Sequence, residues 1–506
     1  MRCLLKIPLA VTLSLALHFP ANANTESVLR AASAKVDITD HSAGPVHDPS
    51  HARSLVFEQD GKRSAIIAVD AVAVGEIGRL GNPFLNELRE RLQAEADIPP
   101  NRLIINASHC HSIVRTDSAD LIARSIVKAC NNLAPVLLTH ATERNTRISE
   151  NRRLLLKDGS QSDMRRAYPT AESGNVGQTG PIDPTIGIVH ITRTDKTTLA
   201  VVYHFACHPI MNPPSCGNSA DFPGLASTQV EKGLGNGAIA LFLQGCGGDI
   251  NPRRYKDAGT PADATPLANE IALSVIAGVR NAPHPKTATV QFESQTIDLP
   301  RGRDFSTRIR AIETEQLRLL HSMSSTPLNF EAFLPIWLQH HLNPETPSAN
   351  AQTSLHESSV GSTLRKRHDT DQLAAARSYR TNISTLEQLI RLNTNLALLK
   401  KHESFAQKSQ MAPLQGQLCG ARIGDFRLIT FPGELTVEVG LAIQSRSPQH
   451  PVFVSGYTNG YLYYLPTASQ RTNAGYAQED CDCDVAPEWH TTFEKNALQM
   501  LKRLDP

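Results

Sequence analysis

Short, almost uninterrupted apolar runs recur along this chain, and they restrict its fold more than any other feature. Ser64 to Val69 (SAIIAV), Leu103 to Ile105, Leu199 to Phe205 (LAVVYHF) and Ala238 to Leu243 (AIALFL) are too short for typical helices and read as fully buried strands. Between them lie helical patterns. Asn82-Pro83 marks a helix start, with Asn as N-cap and Pro in the first turn, and Leu85, Leu88 and Leu92 continue it on one face. Ser118 to Leu133 and Leu267 to Val279 repeat the amphipathic pattern, the latter with Ile271 and Val275 on its apolar side. Strand and helix in alternation predict an α/β fold: a mixed sheet core flanked by helices, in one large domain, with any site at the strand ends.

The second half departs from this rhythm before returning to it. From Ser322 to Thr363 the chain turns polar, apart from an apolar patch at Phe333 to Trp337, and reads as a surface insertion or lid. A long helix over roughly Asp371 to His402 follows. Strands at Phe426 to Phe431 and Val452 to Ser455, then a helix at His490 to Leu504, complete the pattern.

Charge and the N-terminus narrow the function classes. Fifty basic against 49 acidic side chains give a net charge of +1, which argues against a nucleic-acid partner. Arg2 and Lys6 precede the apolar run Ile7 to Phe19, and Ala21-Asn22-Ala23 follows it. Positive charge, a short apolar run and small-x-small form the pattern of an export signal, with cleavage expected after Ala23 and a mature domain over 24–506. The protein is therefore expected in a periplasm or secreted, with no transmembrane segment in the mature chain. Of 9 cysteines, Cys3 would leave with the signal. The remaining eight permit disulfides without specifying a pairing. Cys481-Asp482-Cys483 is a disulfide participant or a free pair, and Cys110 and Cys207 read as small buried apolar side chains.

Several strand ends carry groups with chemistry. Asn106-Ala107-Ser108-His109-Cys110-His111-Ser112 follows the strand ending at Ile105. If that chain stays extended, His109 and His111 project to one side. His208 lies just past another strand, whereas His204, inside it, reads as a core residue. Glu434 follows Phe431-Pro432-Gly433, a forced turn, and could equally be the acid at a helix N-terminus. Asn459-Gly460 precedes Tyr461, Tyr463 and Tyr464. Two histidines and a carboxylate at strand ends are donors that a catalytic zinc uses while leaving a position for water, whose pKa falls to about 7 on binding. A nearby histidine could then pass a proton to a leaving amine.

The order of these pieces resembles the neutral/alkaline ceramidases, zinc amidases that split ceramide into sphingosine and a fatty acid. The family's T-H-T-H-S is similar to Ser108 to Ser112. Its P-G-E-[FL]-T matches Pro432-Gly433-Glu434-Leu435-Thr436, and its N-x-Y-x-x-Y matches Asn459 to Tyr464. The resemblance implies zinc held by His109, His208, Glu434 and Tyr464, with His111 in the active site. It also implies an arginine near the substrate, at Arg152 of Asn151-Arg152. It covers that family's catalytic domain and not its C-terminal immunoglobulin-like domain. Where the family has an active-site serine, alignment on the Gly248-Asp249 pair puts Gly245, so a covalent serine route is not expected. Gly245, Gly247 and Gly248 could instead bring backbone N–H groups to an oxyanion. Cys246 is a poor substitute nucleophile, with no evident base beside it. Asp249 is a candidate for orienting a ligand histidine; Asp221, in a segment that resembles a family S-G-D, is a similar one, and Asp70 a weaker one.

The expectation is thus a zinc hydrolase cutting an N-acyl amide in an amphiphilic, ceramide-like substrate. Two alternatives stand beside it. One is a zinc esterase, lactonase or deacylase for a smaller amphiphile, and the other a non-catalytic binding protein of the same fold.

Overall fold

In a computed structural model, which describes residues 28–163, 173–253, 255, 262–345, 347–447 and 450–505, the apolar runs form two stacked sheets. The larger has eight strands: β1 (Arg30–Asp37), β2 (His51–Gln59), β3 (Lys62–Val69), β4 (Leu103–Ala107), β5 (Ala134–Arg144), β6 (Thr185–Arg193), β7 (Thr198–Phe205) and β8 (Ile239–Gln244). Their order is β8-β7-β6-β5-β1-β2-β3-β4. The smaller sheet contains β9 (Val290–Leu299), β10 (Leu414–Ile423), β11 (Phe426–Thr430) and β12 (Val452–Ser455), in that spatial order. Most neighbours are antiparallel, but β3/β4, β7/β8 and β11/β12 are parallel pairs.

Alternating side chains on each strand give the layers. Leu55, Phe57, Ile66, Ile104, Val202 and Leu243 of the large sheet meet Phe292, Ala421, Leu428 and Phe453 of the small one in a single apolar core. On the outer face of the large sheet, Val56, Ile67 and Ile105 pack under α1 (Pro83–Ala96) and α2 (Ser118–Cys130). Val201, Tyr203 and Phe242 pack under α3 (Asp221–Leu234) and α4 (Thr265–Asn281). A C-terminal helix, Trp489–Leu504, covers the small sheet through Trp489, Phe493 and Met500. The result is helices, sheet, sheet, helices, within the α/β class expected from the strand runs.

Two local expectations need correction. Asn82 precedes α1 but does not cap it: its backbone is already helical and its Oδ1 accepts from the Glu76 backbone N–H. The polar stretch 322–363 is largely helical, with Phe330–Leu342 and Ala351–Ser359 each capped by an asparagine side chain. Together with Phe305–Ser322 and the 45-residue helix Leu364–Lys408 they build an arm beside the layered body. The scattered Ser, Thr, Asn and Pro, with Pro335 inside the first helix, read as loop and hid these helices in the sequence. The expected export signal lies outside the described residues. The eight cysteines among the described residues are all free thiols, with Cys110 and Cys207 fully buried.

Candidate metal centre

The three parallel pairs deliver their C-terminal ends to one place, the usual position of a site in parallel sheet structure. Chain leaving β4 presents His109, chain leaving β7 presents His208, chain leaving β11 presents Glu434, and chain leaving β12 presents Tyr457. Two asparagines hold these segments together. Asn459 accepts from the Ile105 N–H and donates to the Leu103 carbonyl, each at 2.9 Å. Asn106 donates to the Gly456 carbonyl and the Thr458 hydroxyl and accepts from the Gln244 N–H. The tyrosine segment is thereby bound along the strand that carries the histidine.

At the centre, His109, His208 and Glu434 each offer one ligand atom, and these atoms lie within 4.8 Å of one another. Glu434 Oε2 is 3.5 Å from His109 Nε2 and 3.1 Å from His208 Nε2. The other nitrogen of each ring is engaged by backbone: His109 Nδ1 donates to Val72 O at 2.7 Å and His208 Nδ1 to Gly247 O at 2.5 Å. That fixes the tautomer, leaving each Nε2 lone pair aimed at the centre. Burial pushes the His109 imidazole down to about 4, and burial with the Arg152 charge lowers His208. Both are therefore neutral at pH 7. Burial would raise the Glu434 carboxyl, but the two imidazoles and the Tyr461 hydroxyl outweigh it and hold the group well below the carboxylate range.

Two tyrosines that looked like packing in the sequence are partners of this carboxylate. Tyr461 donates to Glu434 Oε1, and Tyr457 donates to Oε2 at 3.3 Å. Burial and the adjacent carboxylate raise both phenols well above their ordinary value, so they remain protonated donors. Tyr464 lies against the cluster, its ring stacked on that of His208 at 6.4 Å between centroids, and its hydroxyl accepts from Arg152 Nη2 at 3.1 Å. His109, Tyr457, Asn459 and Tyr463 all adopt left-handed backbone, with φ between 54° and 67°. Such conformations are costly for residues with side chains and concentrate where function fixes geometry.

That backbone also overturns the extended geometry expected for the H-x-H pair. The strand ends at Ala107 and His109 has φ 67°. His111 is exposed and meets the His109 ring edge-on, with 5.5 Å between centroids. The pair is adjacent because of a turn. Arg152 is buried and engaged on every side: Glu479 pairs with Nε at 2.6 Å, and Gly248 O, Asn251 Oδ1 and Tyr464 take the remaining nitrogens. Glu479, fully buried, gave no sequence signal because it lies 327 residues from Arg152.

The glycine segment differs from expectation in two respects. The N–H groups of Gly245, Gly247 and Gly248 are donated to Phe205, Gly245 and Leu435 carbonyls, each at 2.9 Å, so none faces an oxyanion. A Cβ at Gly245 would lie 2.8 Å from the His204 ring and 3.0 Å from Ala206 Cβ. The position expected to hold a serine in the resembling family is thus closed by His204, whose Nε2 is fixed on Val454 O at 3.0 Å. Asp249 does not orient a histidine. Its carboxylate accepts from the Val437 N–H at 2.8 Å and Asn151 Nδ2 at 3.2 Å. Asp221 accepts from the Asn212 and Phe222 N–H groups, and Asp70 pairs with Arg53, so neither supports a ligand. Cys246 is buried beside Val454 O, and burial pushes its thiol well up.

No family model matches the chain, and no curated protein matches its sequence. Solved structures do. One, described as neutral ceramidase from Pseudomonas aeruginosa, aligns with a TM-score of 0.59 at 16% identity, over 94% of this chain and 74% of that one. A second, a ceramidase complexed with C2, aligns with the same score and identity over 94% of this chain and 76% of the other. Across 94% of its length, this chain has the neutral ceramidase fold.

Proposed function

We propose that this protein is a zinc-dependent hydrolase that cleaves the amide bond of an N-acylated, ceramide-like amphiphile. The observation that carries the reading is the convergence of three buried ligand atoms, from His109, His208 and Glu434, within 4.8 Å. Two neutral imidazoles and an ionised carboxylate fit the donor set of a catalytic zinc with an open position. Tyr464 is the fourth ligand in this reading, and its stacking on His208 supports that place. When bound, zinc lowers the pKa of a coordinated water and polarises an acyl carbonyl.

The chain's own residues supply the remainder. Val72 and Gly247 carbonyls hold both imidazoles in the productive tautomer, and Tyr457 and Tyr461 hold Glu434 in position. His111, exposed beside His109, carries a proton to the leaving amine. Arg152 has no side left for a substrate and is a positioning residue, acting through the Tyr464 hydroxyl. Gly245 has no room for a nucleophile, which favours direct attack by water over an acyl-enzyme. Export to a periplasm or the exterior belongs to the same reading and rests on the N-terminal pattern alone. No helix among the described residues is long and apolar enough to cross a membrane.

The test is hydrolysis of ceramide and a panel of short N-acyl amides by purified protein, with metal content measured alongside. The reading requires fatty-acid release that stops with chelator, returns with zinc, and is abolished together with metal binding in His208→Ala. Zinc-loaded protein that turns over no amide would overturn it.

A further inference from the structure

The two loops that carry the histidines do not end at the metal cluster. Chain continuing from His109 supplies His111 and Ile113, and chain continuing from His208 supplies Asn212 and Pro213, to one cavity of about 270 Å³. His111 is therefore shared: its ring meets that of His109, with 5.5 Å between centroids, and it also lines this cavity. Asn218 fastens the walls. Its side chain accepts from the Ile113 N–H and donates to the Ile113 carbonyl, each at 2.8 Å. Its backbone accepts from the His47 N–H at 2.8 Å and donates to the Pro45 carbonyl at 2.7 Å.

Asp221, 4% exposed, supplies the carboxylate of the lining. Backbone N–H groups of Met211, Asn212 and Phe222 face it, the last two at 3.0 Å and 2.6 Å. These are neutral donors, and a carboxylate has about four lone-pair sites. Among the described residues no Lys or Arg pairs with Asp221. The charge beside it is a second carboxylate, Asp48, which accepts from Ser219 and the Ala220 N–H and has His47 next to it. Burial, with Asp48, pushes Asp221 up to about 6, so at pH 7 it is mostly an anion with no cation at hand.

We infer that this cavity receives the amine half of the substrate as it leaves, with Asp221 as the countercharge of the ammonium ion. The inference rests on the amide-hydrolase reading and deepens it by naming the leaving-group side. Hydrolysis of an amide consumes one water and yields a carboxylate and an ammonium ion. Hydrolysis of an ester yields a carboxylate, a proton and a neutral alcohol. Only the amide puts a positive charge on the leaving half. His111, which passes the proton to that nitrogen, stands in the cavity wall, so the nitrogen it protonates lies within reach of the cavity. Desolvation destabilises a buried carboxylate with no cation beside it, and an ammonium ion entering the cavity relieves that penalty. At about 270 Å³ the cavity is smaller than the roughly 300–1,000 Å³ of clefts that enclose a drug-sized ligand. It fits a compact polar amine head, and hydrocarbon beyond that head stays outside.

The experiment uses full-length zinc-loaded protein and two substrates with one acyl group, a 2-hydroxyethyl amide and the matching 2-hydroxyethyl ester. Asp221→Asn should lower the amide-to-ester ratio of kcat by about tenfold, because only the amide loses a countercharge. An Asp221 that merely supports the fold lowers both alike and leaves the ratio unchanged. Ala43→Phe, which fills the cavity from another wall, should raise KM for the hydroxyethyl amide relative to the primary amide, whose leaving group is only ammonia. Calorimetry at pH 7, where 2-aminoethanol is protonated and offers a metal no lone pair, should find it bound about tenfold more tightly than ethylene glycol. Asp221→Asn should abolish that preference. An unchanged amide-to-ester ratio in Asp221→Asn would overturn the inference, as would an unchanged KM ratio in Ala43→Phe if the first variant does not fold. Where either substrate is not cleaved, calorimetry decides: a preference for the ammonium keeps the amine site, and no preference removes it. Protein that cleaves neither substrate but keeps the preference has the amine site without the hydrolase activity.

Discussion

The layered body and the helical arm, Phe305–Lys408, solve the problem of burial in opposite ways. The body buries charge. Arg53 reaches Asp70 at 2.9 Å and Glu231 at 2.8 Å in the interior, and Arg153 pairs with Asp480 at 2.8 Å. The arm exposes apolar surface. Of fifteen large hydrophobic residues exposed among the described residues, eleven lie in it, including Phe330, Leu334, Leu338 and Leu342 on successive turns of one helix. Two of its helices are held together by Phe333 meeting Tyr379 at a tilt, with centroids 4.8 Å apart, and by Arg380 over Trp337. Two stacked sheets with helices outside surround a side chain completely, so a polar group there can be matched on every side. An arm of packed helices has one inner face, and the rest of each helix stays in solvent. Along the face it turns to the body the arm does pack densely: Phe305, Ile312 and Leu399 are buried with Cys481, Arg391 pairs with Asp163 at 3.0 Å, and His402 and Phe405 meet Tyr463.

If this contrast is right, the largest penalties come from the body's buried pairs. Arg153→Ala leaves the buried Asp480 without its ion-pair partner and should lower unfolding free energy by about 3–5 kcal/mol. Chemical denaturation measures this, and a loss near zero would mean that the body does not depend on its internal charge pairing.

Buried carboxylates also give the body a pH dependence. Burial pushes Asp221 up to about 6 from an ordinary value near 3.8, against the backbone N–H groups that hold it. The folded state therefore binds the proton more tightly than the unfolded state. Asp221 favours folding below pH 4, and that contribution falls as pH rises towards 6, by about 3 kcal/mol in all. Unfolding midpoints compared between wild type and Asp221→Asn at pH 4, 5, 6 and 7 should show a shallower fall in the variant.

A smaller effect is expected at Gly245. Gly245→Ser forces a Cβ against His204 and should cost about 1–3 kcal/mol by overpacking without raising amide hydrolysis. Thermal denaturation and turnover of the same preparation check both parts, and a gain in turnover would restore a role for a serine there.

The smallest effect belongs to the arm. Leu338→Gln and Leu342→Gln should change stability by no more than about 0.5 kcal/mol, because both side chains are already in solvent. A large loss in denaturant titration would show that the arm buries this face, and the contrast with the body would fail.

Much of the fold was written in local pattern. Val, Ile, Leu and Ala runs such as SAIIAV and AIALFL specify buried strands because nothing in them tolerates water, and they became β3 and β8. The amphipathic spacing of Leu85, Leu88 and Leu92 likewise specified α1. The helices between Ser322 and Thr363 were not legible: Phe330, Leu334, Leu338 and Leu342 recur every four residues, but Pro335 inside that helix and the scattered Ser, Thr, Asn and Pro around it read as loop.

For the site, the sequence by itself determined which donors exist and that each follows a strand: His109, His208, Glu434 and the tyrosine segment. Strand ends can be read from apolar runs, and imidazole and carboxylate chemistry belongs to the residue. Tertiary structure alone decided the rest. It turned His109 into the left-handed region, set Tyr457 and Tyr461 on Glu434, chose Val72 and Gly247 as the carbonyl partners of the histidines, and closed Gly245 with His204. Each of these depends on a distance between segments far apart in the chain. Local propensity has no term for such a distance; it is set when the three parallel pairs pack their ends together.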